Sequence, residues 1–194
     1  MKIQRIAGVI AIVLVGAWCY WSYQSEITPN TDSYVYELPY AEGTSHYIMQ
    51  GYGGLFSHTN AAALDFSMPA GTPVYAARGG TIFRYKDDSN QGGPFARYHR
   101  RANYIMIRHD DGSIGCYWHL KYQGVVIKHG PVQKGALIGY SGATGFVLSA
   151  HLHFSVKPML SYEKEGYIQT KFNTRSGVKL LRQGHSYEKP ISSE

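Results

Sequence analysis

The stretch His151-Leu-His-Phe-Ser-Val156 alternates polar and apolar side chains without a break. Successive side chains of a β-strand point to opposite faces, so the two histidines and the serine share one face. Leucine, phenylalanine and valine share the other face. The stretch therefore predicts a half-buried strand, with an apolar side for the core and an opposite side that presents two imidazoles.

Short segments of the same β type lie on both sides of this stretch. Segments bounded by turn-forming residues predict three hairpins: residues 72–77 with 81–85 around Gly79-Gly80, residues 104–109 with 114–119 around residues 110–113, and residues 168–172 with 178–181 around Ser176-Gly177. No segment beyond the first 24 residues has a helical period. With 22 glycines and 17 tyrosines, the chain is predicted to be all-β, with a mainly antiparallel sheet or sandwich and an open groove.

Composition narrows the class of protein further. Charged residues make up 16% of the 194-residue chain, which excludes an intrinsically disordered protein and a coiled coil. Two cysteines are too few for a disulfide scaffold or a cysteine-based zinc site. The net charge of +6 is compatible with an anionic partner but does not identify one.

Residues 1–24 are predicted to be a signal-anchor or a signal peptide. Lys2 and Arg5 precede an uncharged apolar run over residues 6–21. At about 1.5 Å per residue this run makes a helix of about 24 Å, shorter than the roughly 30 Å hydrocarbon core. Aromatic side chains crowd the exit, where a cleavage site needs small residues. This favours an uncleaved N-terminal apolar helix in the inner membrane, with the remaining chain outside the cytoplasm.

The remaining chain divides into three parts. Residues 25–40 are polar, contain Pro29 and Pro39, and are predicted to be a linker with at most one short strand. Residues 41–160 are predicted to form the main β domain. Residues 161–194 are predicted to add a C-terminal β-hairpin extension and a tail.

Several candidate metal ligands accompany the His-x-His pair. The pair alone is a weak signal because the chain has nine histidines. His58 and Asp65, however, precede it in the chain, and His119 ends a predicted strand. A catalytic zinc ion takes three protein ligands from His, Asp or Glu and keeps a fourth position for water. The set therefore has the residue types that a zinc hydrolase needs.

The order of these residues resembles that of the lysostaphin- and LytM-type zinc metallopeptidases. The pattern of that family is a His and an Asp ahead of Gly-Thr-Pro-Val, then an aromatic-x-His-Leu, a glycine-rich loop and His-x-His. This chain matches it in order with His58, Asp65, Gly71-Thr-Pro-Val74, Tyr117-Trp-His-Leu120, Gly135, Ser141-Gly142 and His151-Leu-His153. The resemblance covers roughly residues 50–158.

The resemblance implies a role for each of the five side chains. His58, Asp65 and His153 would hold one Zn²⁺ per domain, and His119 and His151 would be catalytic histidines that do not bind the metal. Which of these two is the general base stays open.

One departure from the family pattern concerns the acidic ligand. Many members have the Asp four residues after the first His, whereas Asp65 follows His58 by seven. The small residues 61–63 make a loop excursion before Asp65 sterically easy. If the longer spacing excluded Asp65, then Asp87 or Asp88 would be the alternative.

The resemblance also implies an activity: a zinc endopeptidase that hydrolyses the peptide cross-links of bacterial peptidoglycan. The alternative is a non-catalytic wall-binding or regulatory module that activates another wall hydrolase, and the presence of all five site residues argues against it. The basic aromatic run over residues 97–101 is typical of nucleic-acid binding. We expect no nucleic-acid partner for an exported domain.

Other conspicuous residues have structural interpretations. Cys116 and His119 differ by an odd number, which predicts opposite strand faces and places Cys116 in the core. Tyr52 and Phe56 either line the groove or pack in the core. The remaining histidines are predicted to be surface or turn residues: His46, His99, His109, His129 and His185.

Overall fold

The structure is a computed structural model that describes residues 34–54, 58, 62–158 and 168–192. The predicted apolar leader, most of the predicted linker and Phe56 lie outside these residues. Within them, no helix has both the length and the apolar character needed to cross a membrane.

Short strands make up nearly half of the described chain, which also has one 3₁₀ helix at Ala96–Arg101. In chain order the strands are β1 (Val35–Glu37), β2 (Ser45–Gln50), β3 (Ala63–Ser67), β4 (Pro73–Tyr75), β5 (Gly80–Lys86), β6 (Gly92–Gly93), β7 (Tyr104–Arg108), β8 (Ile114–Trp118), β9 (Leu120–Val125), β10 (Pro131–Val132), β11 (Leu137–Ser141), β12 (Gly145–Phe146), β13 (His151–Lys157), β14 (Lys171–Thr174), β15 (Gly177–Leu180) and β16 (Ser186–Glu188). The prediction of a mainly antiparallel β protein is confirmed.

An eight-stranded sheet forms the centre, in the order β10-β5-β7-β8-β13-β3-β2-β16, and all its neighbours are antiparallel. Smaller sheets have the orders β4-β11-β9, β1-β14-β15 and β12-β6. The predicted strand over residues 151–156 is the middle of the large sheet. Its apolar face, with Leu152 and Phe154, is buried in the core against Phe66 and Tyr117.

Two of the predicted hairpins form and one does not. Strands β7 and β8 pair as predicted, and so do β14 and β15, although Ile168 pairs with Val156 instead of joining β14. The prediction of a hairpin around Gly79-Gly80 is wrong, because β4 pairs with β11 while β5 pairs with β7 and β10.

The reason lies in what the two glycines do. A tight hairpin turn of type I′ needs a positive φ at both central residues, and neither Gly79 nor Gly80 has one. A Cβ atom on Gly80 would instead lie 2.2 Å from the carbonyl oxygen of Arg108. The pair therefore lets two strands approach closely and does not reverse the chain.

The end of the predicted linker belongs to the folded body. Strand β1 pairs in parallel with β14, and Tyr36, Leu38 and Tyr40 are fully buried. These side chains follow the period of two that marks a strand with one core face. The Pro residues and polar neighbours of this stretch concealed that signal.

Candidate active site

Adjacent strands bring two of the predicted ligands together. In the pairing of β13 with β3, His153 lies directly opposite Asp65, and in the pairing with β8 it lies opposite Trp118. His58 reaches the same place from the loop after β2, where its backbone N–H donates to the Gly54 carbonyl at 3.2 Å. Sheet register, not sequence proximity, therefore assembles these groups.

Three ligand-type atoms converge at this point. His58 Nε2 lies 3.1 Å from His153 Nδ1 and 3.2 Å from Asp65 Oδ1, and His153 Nδ1 lies 2.9 Å from Asp65 Oδ1. Tetrahedral ligands about 2.0–2.1 Å from a zinc ion are about 3.3 Å apart. The spacing of the three atoms therefore fits one Zn²⁺, and the described residues contain this group as a candidate metal site.

The chemistry of the three atoms points to a cation as well. His58 Nδ1 donates to the Gly51 carbonyl at 3.0 Å, so the neutral ring presents a lone pair at Nε2. That lone pair faces Asp65 Oδ1 at 3.2 Å, so both atoms could bind one cation placed between them. His58 is fully buried.

Two further histidines lie beside this group. The rings of His119 and His151 have centroids 4.6 Å apart, and His151 Nε2 lies 3.7 Å from Asp65 Oδ1. His119 Nδ1 donates to the Thr144 carbonyl at 2.7 Å, and His151 Nδ1 donates to the Ser149 carbonyl at 2.9 Å. Each of the two rings therefore presents its Nε2 atom to the groove.

His119 reaches the groove through an unusual backbone conformation. Its φ is +65°, in the left-handed region that non-glycine residues rarely adopt. In the sheet register Cys116 lies opposite Ser155, two residues from His153, and so it shares the sheet face of the site. The prediction that Cys116 and His119 point to opposite faces is therefore wrong, because the alternation of side chains between the two faces ends at Trp118. Cys116 is buried, as expected.

Burial and charge set the protonation of the site. Burial acts to raise the pKa of the Asp65 carboxyl, but its interactions with His153 and His58 outweigh this and lower the pKa well below its usual range. Desolvation, with the neighbouring His151 and His153, lowers the pKa of His119 to about 3. Desolvation also lowers the pKa of His153. At neutral pH the site therefore contains the ionised carboxylate of Asp65 beside the neutral imidazoles of His119 and His153.

The site opens into a cavity of about 560 Å³. Gln50 on β2 and Gln183 near the C-terminus lie on its boundary, as do Trp118 and the rim residue Leu148, which is 68% exposed. The cavity is lined by both polar and apolar side chains, and its volume lies within the usual range of ligand-binding clefts.

All five predicted site residues thus lie around one groove, and the alternative acids do not join them. Asp87 forms an ion pair with Lys128 at 3.0 Å, and Asp88 forms one with Lys86 at 3.1 Å. The seven-residue spacing does not prevent Asp65 from meeting the histidines.

Sequence reasoning missed other groups at and near the site. The carbonyls of Gly51, Thr144 and Ser149 orient three histidine rings, and a backbone carbonyl leaves no trace in the residue pattern. His99 was predicted to be a surface or turn residue and is indeed exposed, but it also stacks on Phe146 and borders the cavity.

Comparison with known proteins gives a consistent result. The model of peptidase family M23 matches residues 59–166, beginning one residue after His58. The chain is 36% identical over 93 residues to the peptidoglycan DD-endopeptidase ShyA of Vibrio cholerae, a match that covers 47% of this chain and 19% of that protein. It is 29% identical over 148 residues to the glycyl-glycine endopeptidase ALE-1 of Staphylococcus capitis, covering 69% of this chain and 38% of ALE-1.

A solved structure is similar too. The antimicrobial peptidase lysostaphin from Staphylococcus simulans aligns with a TM-score of 0.51 and 29% identity, over 66% of this chain and 49% of that one. The chain spans only a fifth to two fifths of the length of the two curated relatives above.

Proposed function

Because the chain belongs to peptidase family M23, we propose that it is a zinc metalloendopeptidase that hydrolyses peptide cross-links of bacterial peptidoglycan. The observation that carries the proposal is the convergence of His58 Nε2, Asp65 Oδ1 and His153 Nδ1 within 3.2 Å of one another. The substrate is proposed from the relatives, whose names specify peptidoglycan and glycyl-glycine bonds.

In this proposal His58, Asp65 and His153 hold one Zn²⁺. When bound, zinc activates a water molecule and polarises the scissile carbonyl. Two neutral imidazoles and one carboxylate leave the site with a net positive charge, which suits an electrophilic role. Asp65 contributes its ionised form at neutral pH because its pKa is lowered.

His119 and His151 handle protons in this proposal. Each ring is held by a carbonyl at Nδ1, so Nε2 is the atom that meets water or substrate. His119 is neutral at pH 7, since its pKa is lowered to about 3, and a neutral imidazole can accept a proton from the attacking water. The His151 ring lies beside that of His119, and its Nε2, when it carries a proton, can stabilise the developing oxyanion or protonate the leaving amine.

We propose that this activity is exercised outside the cytoplasm, with residues 1–24 as the inner-membrane anchor or export signal. Peptidoglycan lies on that side, and Lys2 and Arg5 before the apolar run favour an inside N-terminus. A reporter fused after Glu194 should be active only if that reporter requires export. Activity of a reporter that works only in the cytoplasm would refute this orientation.

The activity is tested with Asp65→Asn, which keeps the shape of the side chain and removes its charge. We expect the wild type to contain one zinc per chain and to release peptide fragments from purified peptidoglycan, identified by mass spectrometry. Asp65→Asn should lose both properties. Asp87→Asn is the matched control and should retain them, because Asp87 pairs with Lys128.

Two outcomes would contradict the proposal. Full zinc content and cleavage in Asp65→Asn would show that another acid is the ligand. Stoichiometric zinc in the wild type without any fragment release, combined with stimulation of a second wall hydrolase, would favour a regulatory module.

A further inference from the structure

The C-terminal segment of residues 168–192 lies beyond the part of the chain that matches the family, yet it is joined to the strand that leads into the site. Strand β16 pairs with β2 at the edge of the large sheet. The ladder continues toward the site, because Gly184 N–H donates to the Ile48 carbonyl at 3.0 Å and Ile48 N–H donates to the His185 carbonyl at 2.9 Å. This segment therefore borders the loop of residues 51–54, which follows β2 and precedes His58.

Tyr52, in that loop, is anchored to the C-terminal segment. Its hydroxyl accepts a hydrogen bond from Thr170 N–H at 3.1 Å and lies 3.1 Å from the Thr170 carbonyl and 3.0 Å from Thr170 Oγ1. Thr170 is 2% exposed. Burial raises the pKa of Tyr52 to about 12, so the hydroxyl keeps its proton and can donate as well as accept. Of the two interpretations of Tyr52 from sequence, packing against the core is the one observed.

Gly51 is held from the same side. A Cβ atom on Gly51 would lie 3.1 Å from the backbone nitrogen of Gln183 and 3.3 Å from its Cβ. The side-chain oxygen of Gln183 lies 3.5 Å from Gly51 N–H. A side chain at position 51 would therefore have to displace Gln183 by a few tenths of an ångström.

The loop contacts the candidate metal site through the Gly51 carbonyl. The Gly51 carbonyl accepts hydrogen bonds from Gly54 N–H at 3.1 Å and from His58 Nδ1 at 3.0 Å. The second bond fixes the tautomer of His58 and turns Nε2 toward Asp65 and His153. A shift of the Gly51 carbonyl would therefore change the orientation of His58.

We propose that Tyr52 and Thr170 are positioning residues for His58: the C-terminal segment clamps the loop of residues 51–54 and so pre-orients His58 for the metal. The inference rests on the proposed zinc function. It adds that a segment outside the family match is an integral part of the zinc site.

The test removes one hydroxyl. In Tyr52→Phe we expect zinc affinity, measured by competition with a chromogenic chelator, to fall by about tenfold, the lower end for groups that orient a ligand. In the metal-free protein, ¹⁵N NMR of His58 should show the Nδ1–H tautomer in the wild type and a mixture of tautomers in the variant. Thr170→Ser keeps the hydroxyl and should retain wild-type affinity.

Tyr40→Phe is the matched control. Tyr40 is also a buried tyrosine, and its hydroxyl donates to the Tyr187 carbonyl at 2.6 Å, so it ties the same segment to the body away from the loop of residues 51–54. Loss of this bond should lower thermal stability and leave zinc affinity and the His58 tautomer unchanged. A purely structural role for Tyr52 predicts that the two variants behave alike.

Wild-type zinc affinity and an unchanged His58 tautomer in Tyr52→Phe would overturn the inference. If that variant fails to fold, Thr170→Val, which removes only Oγ1, is measured in its place with the same two outcomes. If the wild type binds no zinc, the proposed function fails, while the tautomer comparison in the metal-free protein still decides the inference.

Discussion

At the scale of single residues, ring orientation separates the histidines of the site into two kinds. His58, His119 and His151 each donate Nδ1–H to a backbone carbonyl, which leaves Nε2 to face the other groups of the site. His153 does the reverse, since its Nδ1 faces Asp65. His153 thus offers a different nitrogen from the other three histidines, and this nitrogen meets Asp65 from the adjacent strand and His58 from the loop after β2.

The proposed division between ligands and proton carriers predicts different effects of alanine substitutions. His119→Ala and His151→Ala should keep near-stoichiometric zinc and lose about 10²- to 10⁴-fold in turnover, because each removes a general acid or base. His153→Ala should lose the zinc as well. Metal analysis and initial rates on defined peptidoglycan fragments measure both properties.

The same variants can refute the division. If His151→Ala lost zinc to the same extent as His153→Ala, His151 would be a ligand. Full activity in His119→Ala would show that His119 has no role in catalysis.

At the scale of elements, the short parallel pair β6–β12 carries the group that orients His119. The Thr144 carbonyl, which accepts from His119 Nδ1, immediately precedes Gly145 in β12. Gly145 has φ of +86°, and a Cβ atom there would lie 2.6 Å from Ala102 Cβ and 2.8 Å from Ala102 Cα. Backbone packing between two elements thus determines where that carbonyl lies.

Gly145→Ala should therefore displace the Thr144 carbonyl and lower kcat by about a hundredfold, as a misplacement of about 1 Å can do. Zinc content should be unchanged, because no proposed ligand moves. Gly177→Ala is the control: its φ is +94° with no atom near the added Cβ, so it carries the same backbone strain of about 1–2 kcal/mol without the clash. Equal kcat values in the two variants would show that strain alone, and not displacement of the carbonyl, matters.

At the scale of the whole molecule, zinc binding should stabilise the fold. The three proposed ligands come from β3, β13 and the loop after β2, so unfolding disperses the site. With free zinc at about 100 times its Kd the free energy of unfolding rises by about 2.7 kcal/mol. For a chain of this size that corresponds to an increase in Tm of about 5–11 °C.

Calorimetry with and without a chelator measures this shift. In Asp65→Asn the difference between the two conditions should nearly vanish. A wild-type Tm that does not respond to the chelator would contradict a site shared by distant elements.

Much of this protein can be predicted from its residues alone, because the relevant signals are local. The alternation over residues 151–156 establishes a strand with one core face, and the Asp110-Asp-Gly-Ser113 turn joins β7 to β8 as predicted. The side chains that meet in the groove are also identifiable, because zinc restricts the types of ligand and the order of these residues resembles that of a known family.

Other features were decided only by tertiary structure. His109 was predicted to be a surface or turn residue, and it begins the turn between β7 and β8. It is only 4% exposed, however, because it packs inward and its Nδ1 donates to the Gly79 carbonyl at 2.8 Å. Gly79-Gly80 looked like a turn and instead allows the approach of other strands. The environment of His109 and that of the two glycines both depend on which segment, distant in sequence, packs against them.

The metal site shows the same division. Its residue types were determined by the sequence, whereas the position of His58 depends on the Gly51 carbonyl, and that of His119 on a left-handed backbone and the Thr144 carbonyl. Local sequence patterns indicate which chemical roles a side chain can have. The position of a side chain in the site depends on strand register and on backbone contacts between remote segments. These contacts leave no trace in the sequence, because every residue except proline supplies the same carbonyl and N–H whatever its side chain.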